Sequence, residues 1–215
     1  MRCIVTAGPT YESLDDVRRL TNFSTGRLGS DLATFLSARG HEVTLLIGQQ
    51  ATFRGDRQAA HVETFTTTAN LRDRLKALAD GIVGAVFHAA AVSDFTFGKV
   101  WVRSLQGELT EIKSGKLSTR QGTLLAELVP TPKIIAELRP WYPKTRLVGW
   151  KFEVEGGRDG VIGLAKKQIV ECQTDACVAN GAAYGPGFGV VTRDGELTHA
   201  TDAGSLFEAL ARLIA

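Results

Sequence analysis

Cysteine is scarce in this chain: Cys3, Cys172 and Cys177 are the only three among 215 residues. They form no metal-binding spacing and three thiols cannot all pair, so neither a metal centre nor a full disulfide framework is supported. Cys3 and Cys177 sit in apolar, strand-like runs without an activating neighbour. That is the setting of buried, reduced thiols rather than nucleophiles, and a reducing cytoplasm fits it. An excess of one charge is also missing. The 25 basic and 23 acidic residues leave a net charge of +2, which gives no electrostatic drive toward nucleic acid. Apolar runs are no longer than strands, so none is expected to span a membrane. Met1-Arg2 leads directly into the first of them, which leaves no room for a signal peptide. Repeats, low-complexity tracts and domain linkers are absent too. The length suits one substantial core, so residues 1–215 are expected to form a single domain.

A further absence concerns ligands. The glycine fingerprint of a dinucleotide pyrophosphate is G-x-G-x-x-G after the first strand. Here the first turn reads Gly8-Pro9-Thr10-Tyr11-Glu12, with proline where the second glycine is needed. The second strand ends Leu46-Ile47-Gly48-Gln49, without the acid that holds an adenosine ribose. Both failures argue against a nicotinamide-dependent oxidoreductase.

What is present is the composition of an ordinary globular protein, 44% hydrophobic and 22% charged. Short apolar runs predict strands at 2–6, 42–47, 83–88, 146–150 and 175–179, with helical patterns at 27–39, 69–80, 131–139 and 159–171. This alternation implies parallel strands with crossover helices on both faces, a Rossmann-like, doubly wound α/β fold. Residues 99–128 break the rhythm. Lys99-Val-Trp-Val, Leu109-Thr-Glu-Ile and Leu124-Leu-Ala-Glu-Leu read as strands of a β-flap laid over the site. Asp194-Gly195 predicts a hairpin turn. Asp202 predicts the cap of a final amphipathic helix carrying Leu206, Leu210 and Leu213.

Three segments carry candidate chemistry. Residues 20–30, from Leu20 through Asn22, Ser24, Thr25 and Gly26 to Ser30, form a polar, glycine-bearing loop that runs into a helix. Free backbone N–H groups, hydroxyls and the positive end of a helix dipole together suit a phosphate. The alternative is that Ser24 and Thr25 merely cap the helix. The second segment, His88-Ala-Ala-Ala-Val-Ser-Asp-Phe95, follows the expected central strand. Its alanines allow close backbone approach, and Asp94 falls at the carboxyl edge of the sheet, where open α/β sheets bind ligands. Such a carboxylate can orient a ribose or a metal, or cap a turn. The third is the flap, with Lys113, Lys116, Ser118, Thr119 and Arg120. Its lysines suit neutralising phosphate charge, or simple solvation.

Taken together, the chain resembles the phosphopantothenoylcysteine synthetase (phosphopantothenate–cysteine ligase) family. The resemblance is carried by Thr6-Ala-Gly-Pro-Thr10 with Glu12, Asp16-Val-Arg18, Asn22-Phe-Ser-Thr-Gly26 and Gly29. It continues through Ala89-Ala-Ala-Val-Ser-Asp94-Phe95, Pro130-Thr-Pro-Lys-Ile-Ile135, Leu147-Val-Gly-Trp-Lys-Phe-Glu153 and Asp175-Ala-Cys-Val-Ala-Asn180. These blocks keep the family's order along essentially the whole chain. Members of the family join 4′-phosphopantothenate to cysteine in coenzyme A synthesis. CTP in most bacteria, or ATP in eukaryotes, activates the carboxylate as an acyl-nucleotidyl anhydride with loss of pyrophosphate, and the cysteine amine then attacks.

The resemblance implies CTP or ATP as cosubstrate with Mg²⁺, and a homodimer sharing its site across the interface. It also implies a separate flavin-dependent decarboxylase as a partner, with no FMN expected here because only the synthetase-like part is present. By the same resemblance Asn22 contacts the acyl intermediate, and Lys116 of Lys116-Leu-Ser-Thr119 helps form it. Gly8, Thr10, Ser24, Thr25 and Gly26 would hold the substrate or its phosphate. Ala89, Ala90, Asp94, Phe95, Pro132, Lys133, Ile134, Ile135 and Trp150 would hold the nucleotide. Trp150 takes the place of a phenylalanine that packs near the base, and no residue is assigned as a metal ligand. The sequence departs from the pattern where family members carry lysines late in the helix before Asp175. Gln168 and Cys172 stand at those positions, with Lys166 and Lys167 close by, and the usual Ala-Asn-Asp becomes Ala179-Asn180-Gly181. These departures sustain a second reading, a paralogue that binds a phosphorylated ligand without ligating it.

Overall fold

The computed structural model describes residues 1–113, 115–118 and 122–215. The chain begins with β1 (Arg2–Ala7), a short hairpin of β2 (Tyr11–Ser13) and β3 (Arg19–Thr21), then α1 (Arg27–Ala38), β4 (Glu42–Gly48), β5 (His61–Phe65), α2 (Thr68–Leu78) and β6 (Ala85–His88). The flap follows as β7 (Phe95–Arg103), β8 (Leu109–Ile112) and β9 (Thr123–Pro130). The chain then returns through α3 (Ile134–Trp141), β10 (Arg146–Phe152), α4 (Gly157–Cys172), β11 (Ala176–Asn180), β12 (Phe188–Thr192), β13 (Leu197–Ala200) and α5 (Ala203–Arg212). Eight strands form one sheet in the order β13-β12-β11-β10-β6-β1-β4-β5. β5, β4, β1, β6, β10 and β11 are parallel, while β12 and β13 add an antiparallel edge. This is the doubly wound Rossmann order, and it reverses direction between β1 and β6.

Alternation along the buried strands fixes which helix covers which face. Val5, Leu45, Phe87, Val148 and Val178 point toward Leu32 and Leu36 of α1 and Leu206, Phe207 and Leu210 of α5. Ile4, Leu46, Val86 and Leu147 point the other way, onto Leu71 and Leu75 of α2 and Ile134 and Leu138 of α3. α4 extends that second face, packing Val161, Ala165 and Ile169 over Cys177, Ala179 and Val191. Two-sided burial explains why β1, β4 and β6 read as near-continuous apolar runs. All three cysteines are buried and unpaired. Burial pushes the Cys3 thiol up to about 11 and that of Cys177 up to about 12, so both stay protonated at neutral pH.

Several expectations need adjustment. β5 was not expected; it is a sheet edge with His61 and Val62 exposed, so its side chains carry little hydrophobic signal. The β2–β3 hairpin is too short for a periodicity. β6 starts at Ala85 rather than at residue 83, while β10 runs on to Phe152. α3 starts at Ile134 rather than at residue 131, because Lys133 is still extended, and it carries Pro140 within its last turn. Ser24 and Thr25 do not cap α1: its N-cap is Gly26 at φ 78°, with no side-chain bond, and Thr25 Oγ1 accepts only the Arg27 N–H at 3.2 Å. The cap expected at Asp202 is present as a capping box with Ser205, whose N–H donates to Asp202 Oδ1 at 2.8 Å. The turn at Asp194-Gly195 closes the β12–β13 hairpin, where the Gly195 N–H donates to the Thr192 carbonyl at 3.0 Å. No helix among the described residues is long and apolar enough to cross a membrane.

Candidate active site

A cleft of about 800 Å³ opens at the carboxyl ends of the parallel strands, around the point where the strand order reverses. One wall is the turn after β1 with the loop into α1, from Asn22 to Gly29. Gly29 lets α1 lie directly on β1: a Cβ there would stand 2.6 Å from Ala7 Cβ and 3.0 Å from the Thr6 carbonyl oxygen. Gly26 needs its positive φ as well as the space, since a Cβ would meet Ile47 Cδ1 at 2.8 Å. The first turn of α1, which has no acidic side chain, therefore lines the cleft through Arg27, Leu28 and Gly29. Such a terminus favours an anion.

The floor is the segment from His88 to Asp94. It is tied to the first wall by Asn22 Nδ2, which donates to the Ala91 carbonyl at 3.2 Å, and by the Ala91 N–H, which donates to the Gly8 carbonyl at 3.0 Å. Asp94 stands exposed at the rim. Residues Thr131 to Ile135 enter from the flap side, and Trp150, Lys151, Phe152, Lys167, Gln168, Glu171, Cys172 and Asn180 close the far wall. Arg27, Lys133, Lys151 and Lys167 line this space with Asp94 and Glu171. Three of these cations are ion-paired, Arg27 with Asp31 at 3.3 Å, Lys151 with Glu153 at 2.8 Å and Lys167 with Glu171 at 3.7 Å, so cations and nearby carboxylates balance. Two buried polar atoms of lining residues, Trp150 Nε1 and Asn180 Oδ1, have no hydrogen-bond partner. Buried polar atoms are normally paired, and a bound ligand is one way to pair them.

Thus Gly8, Asn22, Ser24, Thr25, Gly26, Ala89, Ala90, Asp94, Pro132, Lys133, Ile134, Ile135 and Trp150 all line one cleft. Three other expected residues do not. Thr10 is fully buried behind the wall, where its hydroxyl donates to Ser93 Oγ at 3.1 Å and accepts the Ser93 N–H at 2.8 Å. Phe95 begins β7 and pairs with Pro130. Lys116 lies beyond β8, in a stretch docked on the turn of residues 14–18: the Leu117 N–H donates to Asp15 Oδ2 at 3.1 Å and Arg18 donates to the Leu117 carbonyl. Burial would raise the Asp15 carboxyl, but the N–H groups of Leu117, Val17 and Arg18, with the Arg18 charge, hold it below the usual carboxylate range. Thr119 and Arg120 fall outside the described residues.

The sequence alone did not single out Arg27, His88, Lys151 or Asn180 as site residues. Lys167 was noted only as a neighbour of Gln168. In the fold Lys167 lines the cleft beside Gln168, whose Nε2 donates to Cys177 Sγ at 3.3 Å. Lys133 comes close enough to Cys172 for its charge to act on that thiol. Cations thus flank the two positions where lysines were missing.

A doubly wound sheet with a polar cleft at its switch point is a Rossmann-like α/β protein. More narrowly, the chain belongs to the family described as DNA/pantothenate metabolism flavoprotein C-terminal domain, which matches residues 1–210. Over 183 residues it is 34% identical to the coenzyme A biosynthesis bifunctional protein CoaBC of Thermococcus kodakarensis, an alignment covering 83% of this chain and 41% of that protein. The chain therefore spans less than half the length of that relative. The crystal structure of the DNA/pantothenate metabolism flavoprotein from Streptococcus pneumoniae superposes with a TM-score of 0.86 at 26% identity, covering 100% of this chain and 98% of that one. A mutant of Cab2 in complex with phosphopantothenate-cysteine shares the fold, with a TM-score of 0.73 at 18% identity over 98% of this chain and 85% of that one.

Proposed function

We propose that this chain is a phosphopantothenate–cysteine ligase of coenzyme A synthesis. The observation that carries the reading is the cleft that gathers the Asn22–Gly29 loop, the Ala89–Asp94 segment and the Thr131–Ile135 segment at the carboxyl edge of the sheet. Family membership and the ligand named for the Cab2 complex support it. The 4′-phosphopantothenate phosphate would lie at the amino end of α1, against Ser24, Thr25 and Gly26, with Gly8 and Thr10 shaping that wall. A nucleoside triphosphate, CTP or ATP, would lie along Ala89, Ala90 and Asp94, bounded by Pro132 to Ile135 and Trp150, with Phe95 behind.

The substrate carboxylate attacks the α-phosphorus of the nucleotide, forming the acyl-phosphate bond as pyrophosphate leaves. The cysteine amine then adds to the acyl carbon, and the amide forms as the nucleoside monophosphate leaves. Asn22 is held at the Ala91 carbonyl through its Nδ2, and its amide can meet the charge that develops on the acyl oxygen. Lys116 would offset charge at the reacting phosphate when the flap closes over bound substrate, and closure would keep water from the anhydride. No cluster of three His, Cys, Asp or Glu side chains fit for a metal stands among the described residues. Mg²⁺ would accordingly arrive on the nucleotide phosphates, with Asp94 and Glu171 the carboxylates at hand.

A homodimer is part of the proposal. Exposed apolar side chains on the flap and beside the cleft, Phe23, Phe95, Leu128, Phe152 and Val154, support it. A cytoplasmic setting and a separate flavin-dependent decarboxylase, which would remove the cysteine-derived carboxylate of the product as CO₂, belong to the same reading. The test is pyrophosphate release from purified protein given 4′-phosphopantothenate, cysteine and either CTP or ATP. Release that needs phosphopantothenate and is lost in Lys116→Gln supports ligation. Tight phosphopantothenate binding without turnover on either nucleotide would establish the non-ligating paralogue instead.

A further inference from the structure

His88 is the most deeply buried ionisable side chain of the cleft, and no step above uses it. It ends β6, is 6% exposed, and lies where β6 passes into the alanine segment. Its Nδ1 stands 3.0 Å from Thr6 Oγ1 on the neighbouring strand. Thr6 is fully buried, and the same oxygen accepts the Ala90 N–H at 3.0 Å. A threonine hydroxyl has one proton to give. Among the described residues the only acceptor that Thr6 Oγ1 reaches is His88 Nδ1. The opposite arrangement, with Nδ1 protonated, would leave a buried hydroxyl proton without an acceptor, which folded proteins avoid. The ring proton therefore resides on Nε2.

Burial pushes the imidazole down to about 4, so the ring is neutral at physiological pH. Nε2 has no partner among the described residues and is not sealed among the buried unpaired atoms; the open space beside His88 is the cleft. A protonated Nε2 cannot act as a base. It is a donor held in one orientation, at a depth where a cation would be poorly tolerated.

We propose that His88 is a nucleotide-binding residue: its Nε2–H donates a hydrogen bond to an acceptor atom of the nucleotide lying against Ala89 and Ala90, with Thr6 fixing the tautomer. The inference rests on the nucleotide reading of this cleft. The Thr6 hydroxyl serves twice, holding the Ala90 amide and the His88 ring in register, so the donor and the backbone of the alanine segment are presented as one unit. Nucleotide selection then includes an acceptor at this place, whichever base is preferred.

The test combines ring ¹H–¹⁵N correlation spectra of histidine-labelled protein with calorimetric affinities for CTP and ATP. His88 is expected to show the Nε2–H tautomer at neutral pH, and its Nε2 signal to move when nucleotide binds. His88→Phe should bind about tenfold more weakly, the worth of one hydrogen bond to a phosphate or base acceptor. His88→Gln, which keeps an amide donor near the same place, should stay within about threefold. Thr6→Val should shift the ring toward a mixture of tautomers. An Nδ1–H tautomer in the wild-type protein, an Nε2 signal unmoved by bound nucleotide, or wild-type affinity in His88→Phe would overturn the inference alone. A wild-type protein that binds neither nucleotide would overturn the nucleotide reading and this inference together. Should His88→Phe fail to fold, the wild-type spectra and Thr6→Val decide the matter.

Discussion

The two ends of the central sheet carry cavities of nearly equal size, about 820 Å³ at the amino end and about 800 Å³ at the carboxyl end, and they treat their polar groups in opposite ways. At the amino end Asp175 gathers three arginines: Arg139 at 2.7 Å, Arg193 at 3.5 Å and Arg146 at 3.7 Å. Those arginines bind backbone carbonyls too. Arg139 also donates to the carbonyls of Gln173, Tyr142, Pro143 and Thr145, Arg193 to those of Gln173 and Thr174, and Arg146 to that of Leu213. The cluster stitches the carboxyl ends of α3, α4 and α5 to the sheet, where helix carbonyls need donors. At the carboxyl end Trp150 Nε1 and Asn180 Oδ1 are buried and unpaired, and His88 bonds only through Nδ1 among the described residues. Cavity size does not separate the two ends. What separates them is the lining: among the described residues the carboxyl-end cleft has buried, unpaired polar atoms in its wall and the amino-end cavity has none, a pattern that a bound ligand would complete.

Breaking the amino end should cost fold and spare function. Asp175→Ala leaves three arginines without their carboxylate, one of them only 16% exposed. The expected loss is ~3–5 kcal/mol, or roughly a 10 °C fall in Tm for a chain of this size. Nucleotide affinity measured well below that Tm should be unchanged. A Tm within a degree or two of wild type would make the arginine cluster available for another task.

His88 connects the contrast to pH. Unfolded, its imidazole takes a proton below its ordinary value of 6.5; folded, it resists down to about 4. The unfolded state thus binds more protons in that window. Stability is complete above 6.5 and falls by roughly 3 kcal/mol as the pH drops toward 4. Denaturant titrations across that range should show the slope, and His88→Gln should flatten it.

At the carboxyl end the reverse pattern is expected. Asn22→Ala should lower turnover about a hundredfold while Tm holds, since the side chain is exposed. A large drop in Tm with turnover intact would reverse its assignment. The smallest effect belongs to Lys133→Gln, expected to weaken nucleotide binding several-fold at low salt and less at high salt, because the lysine is exposed and screened. Calorimetry at two ionic strengths checks it.

The parts legible in the sequence were those buried on both sides. β1, β4 and β6 announce themselves because Cys3 to Ala7, Val43 to Gly48 and Ala85 to His88 are mostly apolar, as strands lying under helices must be. β5 was not, because an edge strand with exposed His61 and Val62 need satisfy only one neighbour. The loop of residues 20–30 and the alanine segment stood out because glycines, hydroxyls and Asp94 cluster in sequence, and both line the cleft. Lys133 was expected there, but Lys167 was noted only as a neighbour of Gln168, because α4 brings it to the cleft only after the sheet forms. His88 looked like the last residue of a strand. The signal that could have raised it was a histidine at the carboxyl end of a fully buried run, a place where an imidazole must find polar company.

The central claim is that the cleft activates a carboxylate by joining it to a nucleotide, and omission of cysteine tests it most directly. Protein incubated with 4′-phosphopantothenate, Mg²⁺ and CTP or ATP, then denatured and analysed by mass spectrometry, should yield the acyl nucleotidylate of one nucleotide. Pyrophosphate should appear in equal amount, and adding cysteine should convert the adduct to phosphopantothenoylcysteine. Bound phosphopantothenate with no adduct and no pyrophosphate from either nucleotide would contradict the account.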